Sequence, residues 1–292
     1  MCNAEGMSKG DFDAAGSEAA VCPVCPHHCR LTEGALGRCR ARAGRNGKVV
    51  PVNYGKVTSL ALDPIEKKPL AFFLPGSKVL SVGSFGCNLS CPFCQNHDIA
   101  QAGMDDIPEV YTVTPEKILS IALDEVPNGN IGVAYTYNEA LVGYEFVRDT
   151  AKLIKENGLK NVLVTNGCCE LSVLEEILPY MDAMNIDLKG FRQEIYDKLG
   201  GDLETVKAFI RRSAKECHVE ITSLIVPGLN DSVEDMEEEA AWLASINPSI
   251  PLHITRYFPR FRFSEPATDV GLMRVLKETA SKNLDRVLLG NV

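Results

Sequence analysis

Two groups of cysteines stand out in a chain that has eleven of them. One is Cys87, Cys91 and Cys94 in SFGCNLSCPFCQN; the other is Cys22, Cys25, Cys29 and Cys39 in CPVCPHHCRLTEGALGRC. The first is spaced Cys-x3-Cys-x2-Cys on one short loop. Three thiolates so placed can each bind one iron of a cubane cluster, leaving the fourth iron open to an incoming molecule. A structural zinc would want a fourth donor, which His97 would have to supply. The second group offers four thiolates beside His27 and His28, enough for zinc or a second iron–sulfur cluster. With all four ligands in place such a site is structural or electron-carrying. Cys2, Cys168, Cys169 and Cys217 are scattered.

The bulk composition narrows the setting. The chain has 292 residues, 45% hydrophobic and 24% charged, with 39 acidic against 30 basic residues and a net charge of −9. A negative field repels phosphate backbones, so no nucleic-acid partner is expected. No apolar stretch approaches the ~20 residues that span a bilayer, and no membrane association is expected. Residues 1–20 lack a basic region followed by an apolar one, so they read as a disordered leader rather than a secretory signal. The expected location is the cytoplasm, where clustered cysteines favour metal binding over disulfides.

The elements that must position these cysteines follow from the pattern. Residues 21–76 form a loop-rich, cysteine-bearing segment with an extended lead-in that includes KVVPVNYGKVTSLAL and DPIEKKPLAFFLPGS. From residue 77 to 292 a different rhythm holds. KVLSVGSFG, NIGVAYTY, NVLVTNG, AMNIDLKG, HVEITSLIVPG and PLHITRYFP are short β-branched runs of strand length. Helical patterns lie between them, such as TPEKILSIALDEV, ALVGYEFVRDTAKLIKENG, EIYDKLGGDLETVKAFIRRSAKE and SVEDMEEEAAWLASI. Asn157–Gly158 stands where the second of these should be capped. Alternating strands and helices give right-handed βαβ units. The expected class is α/β, an open, partial (βα)6 TIM-like barrel with its site at the C-terminal strand ends.

Further candidates lie at those ends. Glu139 closes the second strand and could accept from an ammonium, while Asn138 before it reads as a helix N-cap. Alternation puts Asp187 and Lys189 on one face; a charged pair inside a barrel implies ligand binding or an internal salt bridge. His253 and Arg256 lie on the last strand, and His253 reads equally as core or site.

Cys-x3-Cys-x2-Cys after the first barrel strand resembles the signature of the radical S-adenosylmethionine (SAM) superfamily. That resemblance implies a [4Fe–4S] cluster on Cys87, Cys91 and Cys94, with SAM chelating the open iron. Reductive cleavage would give methionine and a 5′-deoxyadenosyl radical that abstracts hydrogen from a substrate. It implies that Phe93 packs on the adenine. Asn138 and Glu139 take the place of a Gly-Gly-Glu motif that holds the SAM amino group. Thr165-Asn166-Gly167 and Asp187-Leu188-Lys189 match strand-end motifs of the same binding series. Lys189 would meet the SAM carboxylate, and Asp187 a ribose hydroxyl or a cation. Thr222 stands where activating enzymes carry an arginine to the SAM carboxylate, which makes Arg256 a candidate replacement. Val226-Pro227-Gly228 looks like a structural turn.

The strings from residue 22 to 259 together resemble the AmmeMemoRadiSam system enzymes, relatives of pyruvate formate-lyase activating enzymes. The resemblance implies Memo-like and AMMECR-type partners and a reductant such as flavodoxin or ferredoxin. Several members carry a further cysteine pair beyond the residues matching Gly290-Asn291-Val292, so the chain is expected to be short of them. One alternative is activation of a glycyl-radical enzyme, against which the position of the extra cysteines before the core weighs. Another is a non-catalytic iron–sulfur or zinc protein, electron carrier or scaffold, against which Glu139, Asp187 and Lys189 weigh.

Overall fold

A computed structural model of the chain describes residues 19–292, so the expected leader lies, but for its last two residues, outside the described part, as does Cys2. Eight strands build one sheet: β1 (Ser59–Pro64), β2 (Lys78–Gly83), β3 (Asn130–Tyr135), β4 (Lys160–Thr165), β5 (Ala183–Asp187), β6 (His218–Ile225), β7 (Leu252–Arg256) and β8 (Val287–Gly290). Their spatial order is their sequence order. From β2 onward every neighbouring pair is parallel, and β1 alone runs antiparallel, against β2. Six parallel strands were expected, β2 to β7. β8 adds a seventh; its short run RVLLG at the chain end is too brief for periodicity to single out. β1 comes from the lead-in and pairs with the barrel sheet itself.

The longer helices are α1 (Pro115–Asp124), α2 (Tyr144–Glu156), α3 (Leu171–Ile177), α4 (Gln193–Leu199), α5 (Leu203–Ser213), α6 (Val233–Ile246) and α7 (Val270–Ala280). Local chemistry sets their ends. The side chains of Thr114, Asp202, Ser232 and Asp269 accept from first-turn backbone N–H groups. Helix α2 stops at Asn157, with Gly158 left-handed, where the sequence put the cap. The pattern EIYDKLGGDLETVK is two helices: Gly200 at φ +75 ends α4, and Asp202 starts α5. Buried Val, Ile and Leu of the strands pack against these helices as the main core. No helix among the described residues is long and apolar enough to cross a membrane.

Two features complete the frame. Residues 65–77 fold inside the sheet's curve: Ala71 and Phe72 N–H donate to Glu220 of β6 at 3.0 and 2.8 Å, and Asn185 of β5 donates to Pro69 O at 2.9 Å. The cysteine-bearing segment is a pair of small hairpins. Ala20–Val21 pairs with Arg30–Leu31, and Arg42–Arg45 with Lys48–Pro51. The second turns at Asn46–Gly47, both at positive φ, as a two-residue Asn-Gly loop favours.

This segment is fixed to the barrel through Arg42. Its guanidinium is 3% exposed, forks onto Glu145 of α2 at 2.7 and 3.0 Å, and donates to Val142 O at 3.1 Å. Removing one partner of such a pair strands the other's charge out of water. Glu145→Ala should therefore cost about 3 kcal/mol of stability, read from urea unfolding. A loss within experimental error would mean that the segment is not held through this pair.

Candidate active site

The C-terminal ends of β2 to β7 open on one cavity of about 770 Å³. Cys87, Cys91, Phe93 and Cys94 line it from the loop after β2; Asn138 and Glu139 follow β3, Thr165 and Asn166 come from β4, and Asp187 and Lys189 from β5. Thr222, His253 and Thr255 line it from β6 and β7. Of the residues expected to hold SAM, only Arg256 is missing from this lining. Its Nε donates to Thr268 O at 2.9 Å and its guanidinium lies 5.0 Å from the Phe258 ring centre, outside the cavity. Alternation explains this: His253 and Thr255 line the cavity, whereas the side chain of Arg256, at the strand's end, is taken by the loop that follows.

The cysteine loop carries no regular structure and is held by amides. Asn138, far from capping a helix, accepts from Ser84 N at 3.0 Å and donates to Phe85 O and Gly86 O, both at 3.1 Å. Glu139 is the cap instead, accepting from Leu141 N at 3.1 Å. Gly86, at φ +88, lets the loop pass where a Cβ would lie 2.4 Å from Cys39 O. Leu89 N and Asn166 Nδ2 point at Cys87 Sγ, at 3.4 and 3.6 Å. Donors aimed at sulfur suit a thiolate ligand of an iron–sulfur cluster. Burial pushes Cys87 well above its ordinary value and Cys91 up to about 11, the latter opposed by Lys189. Any metal bound by these thiols would have to displace their protons. His97 does not complete a zinc knuckle; it stacks on Phe261 at 4.3 Å and pairs with Asp98 at 3.2 Å. Among the described residues no three His, Cys, Asp or Glu side chains close on a single ion. Three cysteines on one loop, with sulfur-directed donors, fit a cubane.

Glu66, Lys67, Glu139, Asp187 and Lys189 bring charge to the cavity, the last three beside the cysteine loop. Glu139 is buried and accepts from Thr165 Oγ1 and Asn166 N, each at 2.8 Å, besides its cap bond. Burial still raises its pKa against those bonds, so a cation placed beside it would be welcome. Lys189 Nζ bonds Asp187 at 2.7 Å. Burial alone would lower the ammonium, but Asp187 and then Cys91 outweigh it and hold it above the usual lysine range. The internal salt bridge and the cavity-facing placement are both real. Phe93 is buried and meets Phe263 edge-on at 6.2 Å.

Sequence reasoning missed two buried carboxylates. Asp63 accepts from Lys68 at 2.8 Å, Ser81 at 2.9 Å and the Tyr137 phenol at 2.6 Å. It thereby steadies Tyr137, which sits at φ +74 just before Asn138 and Glu139. The signal was Asp63 and Lys68 in DPIEKKPL. Behind the cavity wall, Glu220 accepts from His253 Nε2 at 2.6 Å and His218 Nε2 at 2.8 Å, besides Ala71 and Phe72 N–H. Its signal was His218, Glu220 and Thr222 alternating on one face of a strand.

The four N-terminal cysteines do not line the cavity. Cys22, Cys25 and Cys39 are buried and Cys29 partly so, and none of the ten described cysteines is in a disulfide. Burial pushes Cys25 up to about 12, opposed by the His27 backbone, with Cys39, Cys22 and Cys168 adding to the rise. The segment touches the cluster loop: His27 Nε2 meets Asn88 O at 2.9 Å, and Asn88 Nδ2 donates to Cys168 O at 2.6 Å.

A parallel barrel sheet with three loop cysteines beside an acidic and a basic side chain defines a class of enzyme that binds its cofactors at the strand ends. The family model described as the Radical SAM superfamily matches residues 81–243, more than half the chain, and the chain belongs to that superfamily. The family implies SAM and a [4Fe–4S] cluster. An uncharacterized protein of Methanocaldococcus jannaschii is 40% identical over 277 residues, covering 93% of this chain and 81% of that protein. The pyruvate formate-lyase 1-activating enzyme of Escherichia coli is 29% identical over 153 residues, 50% of this chain and 60% of the enzyme, so the match spans less than two thirds of that relative. The structure is similar in fold to a radical SAM methyltransferase from Sphaerobacter thermophilus, with a TM-score of 0.56 at 16% identity over 74% of this chain and 67% of that one.

Glu220 gives the site a pH signature. Burial would raise its pKa, but bonds from His218, His253 and the Phe72 and Ala71 backbone lower it from 4.5 to about 2. A depressed carboxylate stabilises the fold fully above the unfolded value and loses that contribution as pH falls through the folded one. Glu220→Gln should cost roughly 3 kcal/mol at pH 6, and the gap from wild type should close between about pH 4.5 and 2. Urea unfolding of both proteins across that window checks this; a gap independent of pH contradicts it.

Proposed function

We propose that this chain is a radical SAM enzyme holding a [4Fe–4S] cluster on Cys87, Cys91 and Cys94 and cleaving SAM to generate a 5′-deoxyadenosyl radical for hydrogen abstraction. The observation that carries this reading is the convergence of those cysteines with Glu139, Asp187 and Lys189 on one cavity. When bound, the cluster supplies the electron that breaks the sulfonium C–S bond. The chain's own residues bind and orient. Glu139, fixed by Thr165 and Asn166, receives the SAM ammonium. Lys189 receives the carboxylate, the task that the arginine missing at Thr222 would have had. Asp187 takes a ribose hydroxyl, and Phe93 offers an apolar wall to the adenine. Asn138 holds the cysteine loop in place. His253, braced by Glu220, faces the half of the cavity left for the hydrogen donor.

Within the superfamily we assign the chain to the AmmeMemoRadiSam group, with Memo-like and AMMECR-type proteins as partners and a flavodoxin or ferredoxin as reductant, in the cytoplasm. The strings CPVCPHHC, DPIEKKPL and NIDLKG support that assignment. Residues 21–76 serve as an accessory cysteine-bearing unit before the core at 77–292. Its cysteines Cys22, Cys25, Cys29 and Cys39, three of them buried and all outside disulfides, would serve a second metal site, zinc or iron–sulfur. Against a mere electron carrier stands the charged cavity, which such a protein has no use for.

Anaerobic reconstitution followed by dithionite and SAM should yield 5′-deoxyadenosine, and Cys87→Ala should abolish it. Undiminished product from that variant would overturn the cluster assignment. Lys189→Met should weaken SAM binding by roughly 10- to 100-fold, the worth of a charge-assisted hydrogen bond, measured by titrating SAM against the EPR spectrum of the reduced cluster. Unchanged affinity would remove Lys189 from the SAM site.

A further inference from the structure

The segment Arg256–Phe263, RYFPRFRF, carries three arginines, four aromatic residues and no acid, in a chain of net charge −9. It leaves the end of β7 and lies on the cysteine loop. Arg262 N donates at 2.9 Å to the carbonyl of Pro92, between Cys91 and Cys94. Phe263 meets Phe93, and Phe261 stacks on His97. Residues 258–262 are all exposed, Phe258 and Phe261 at 44% and 37%. Arg256 and Arg262 lie over the rings of Phe258 and Phe261, 5.0 and 4.8 Å from their centres.

The charges here are uncompensated. On the helices and their approaches, Arg148, Arg192 and Arg212 each pair with a carboxylate within 3 Å. Among the described residues no such pair involves Arg256, Arg260 or Arg262. Exposed aromatic residues interleaved with arginine are the composition of an interface centre. No residue of the strip lines the cavity, so the strip is not part of the wall that would hold SAM or the hydrogen donor.

Resting on the cluster reading above, we infer that Arg256–Phe263 is the docking surface for an acidic one-electron carrier protein that reduces the cluster. The cluster must receive one electron from outside before it can cleave SAM, and a protein donor must bring its own cofactor up to the cysteine loop. This positive strip sits on that loop. The negative remainder of the surface repels an acidic donor, so the strip both attracts and orients it.

The test uses the reconstituted enzyme with two reductants, an acidic flavodoxin and dithionite, and the double variant Arg260→Glu/Arg262→Glu, with Arg274→Glu on α7 as the charge control. At low salt the double variant should lose at least ten-fold in flavodoxin-driven 5′-deoxyadenosine formation and in flavodoxin affinity by calorimetry. Its dithionite-driven rate should equal that of wild type. Wild-type turnover with flavodoxin should fall with added salt, and the double variant should show a flatter dependence. Equal flavodoxin affinity in wild type and double variant overturns the inference, as does a parallel loss with both reductants, which would make the strip part of the site. A wild-type enzyme inert with dithionite would sink the cluster reading instead, while the calorimetry would still judge the surface.

Discussion

The structure depends on keeping an irregular, buried loop still. Between the end of β2 and Cys94 the chain has no sheet or long helix to satisfy its backbone, and buried N–H and C=O groups without partners are costly. Asparagine amides do the work that a neighbouring strand would otherwise do. Asn138 serves Ser84, Phe85 and Gly86; Asn53 donates to Phe85 O as well; and Asn88 and Asn166 bond each other beside Cys87. An amide carries both a donor and an acceptor on a short, stiff stem, so it can bridge backbone groups of opposite polarity where a carboxylate could not. These bonds fix the loop of Cys87, Cys91 and Cys94 relative to the strand ends.

The same frame sets the electrostatics. Glu139 lies among thiols whose own ionisation burial opposes, and its carboxylate is held by three donors yet remains uncomfortable. Lys189 balances Asp187 and the nearby thiols. A zwitterionic ligand with an ammonium and a carboxylate at one end matches such a pattern, because each of its charges meets an opposite one already paid for by the fold. Behind the cavity wall, Glu220 anchors two histidines and two backbone N–H groups, tying residues 65–77 to β6. One buried carboxylate thus holds Ala71 and His253, two residues that line the cavity.

The cysteine-bearing N-terminal segment is bound to the barrel where the cluster loop begins. Gly86 passes Cys39, His27 reaches Asn88, and Val24 O accepts from Glu170 N at 3.0 Å and from Cys169 Sγ at 3.1 Å. Arg42 locks the segment to α2. Displacement of this segment would reach the loop of Cys87, Cys91 and Cys94 through these direct contacts.

Much was legible in the sequence because it was local. The spacing of Cys87, Cys91 and Cys94, the alternation of strands and helices, the stop at Asn157–Gly158 and the motifs ending β3, β4 and β5 are each written within a dozen residues, and the described fold has them. Alternation alone put Asp187 and Lys189 on one face. What only tertiary structure decided was where side chains from distant segments meet. Asn138 was read as a cap because Asx before a helical pattern usually is one, yet the groups it bonds lie 52 to 54 residues away. Arg256 shares a strand with His253 but is drawn out to Thr268 by the loop beyond it. Glu220 and Asp63 find their partners up to 149 and 74 residues off. Sequence pattern reports the face a residue occupies; which distant backbone or charge claims that face depends on how the sheet curls, and that is a property of the whole chain.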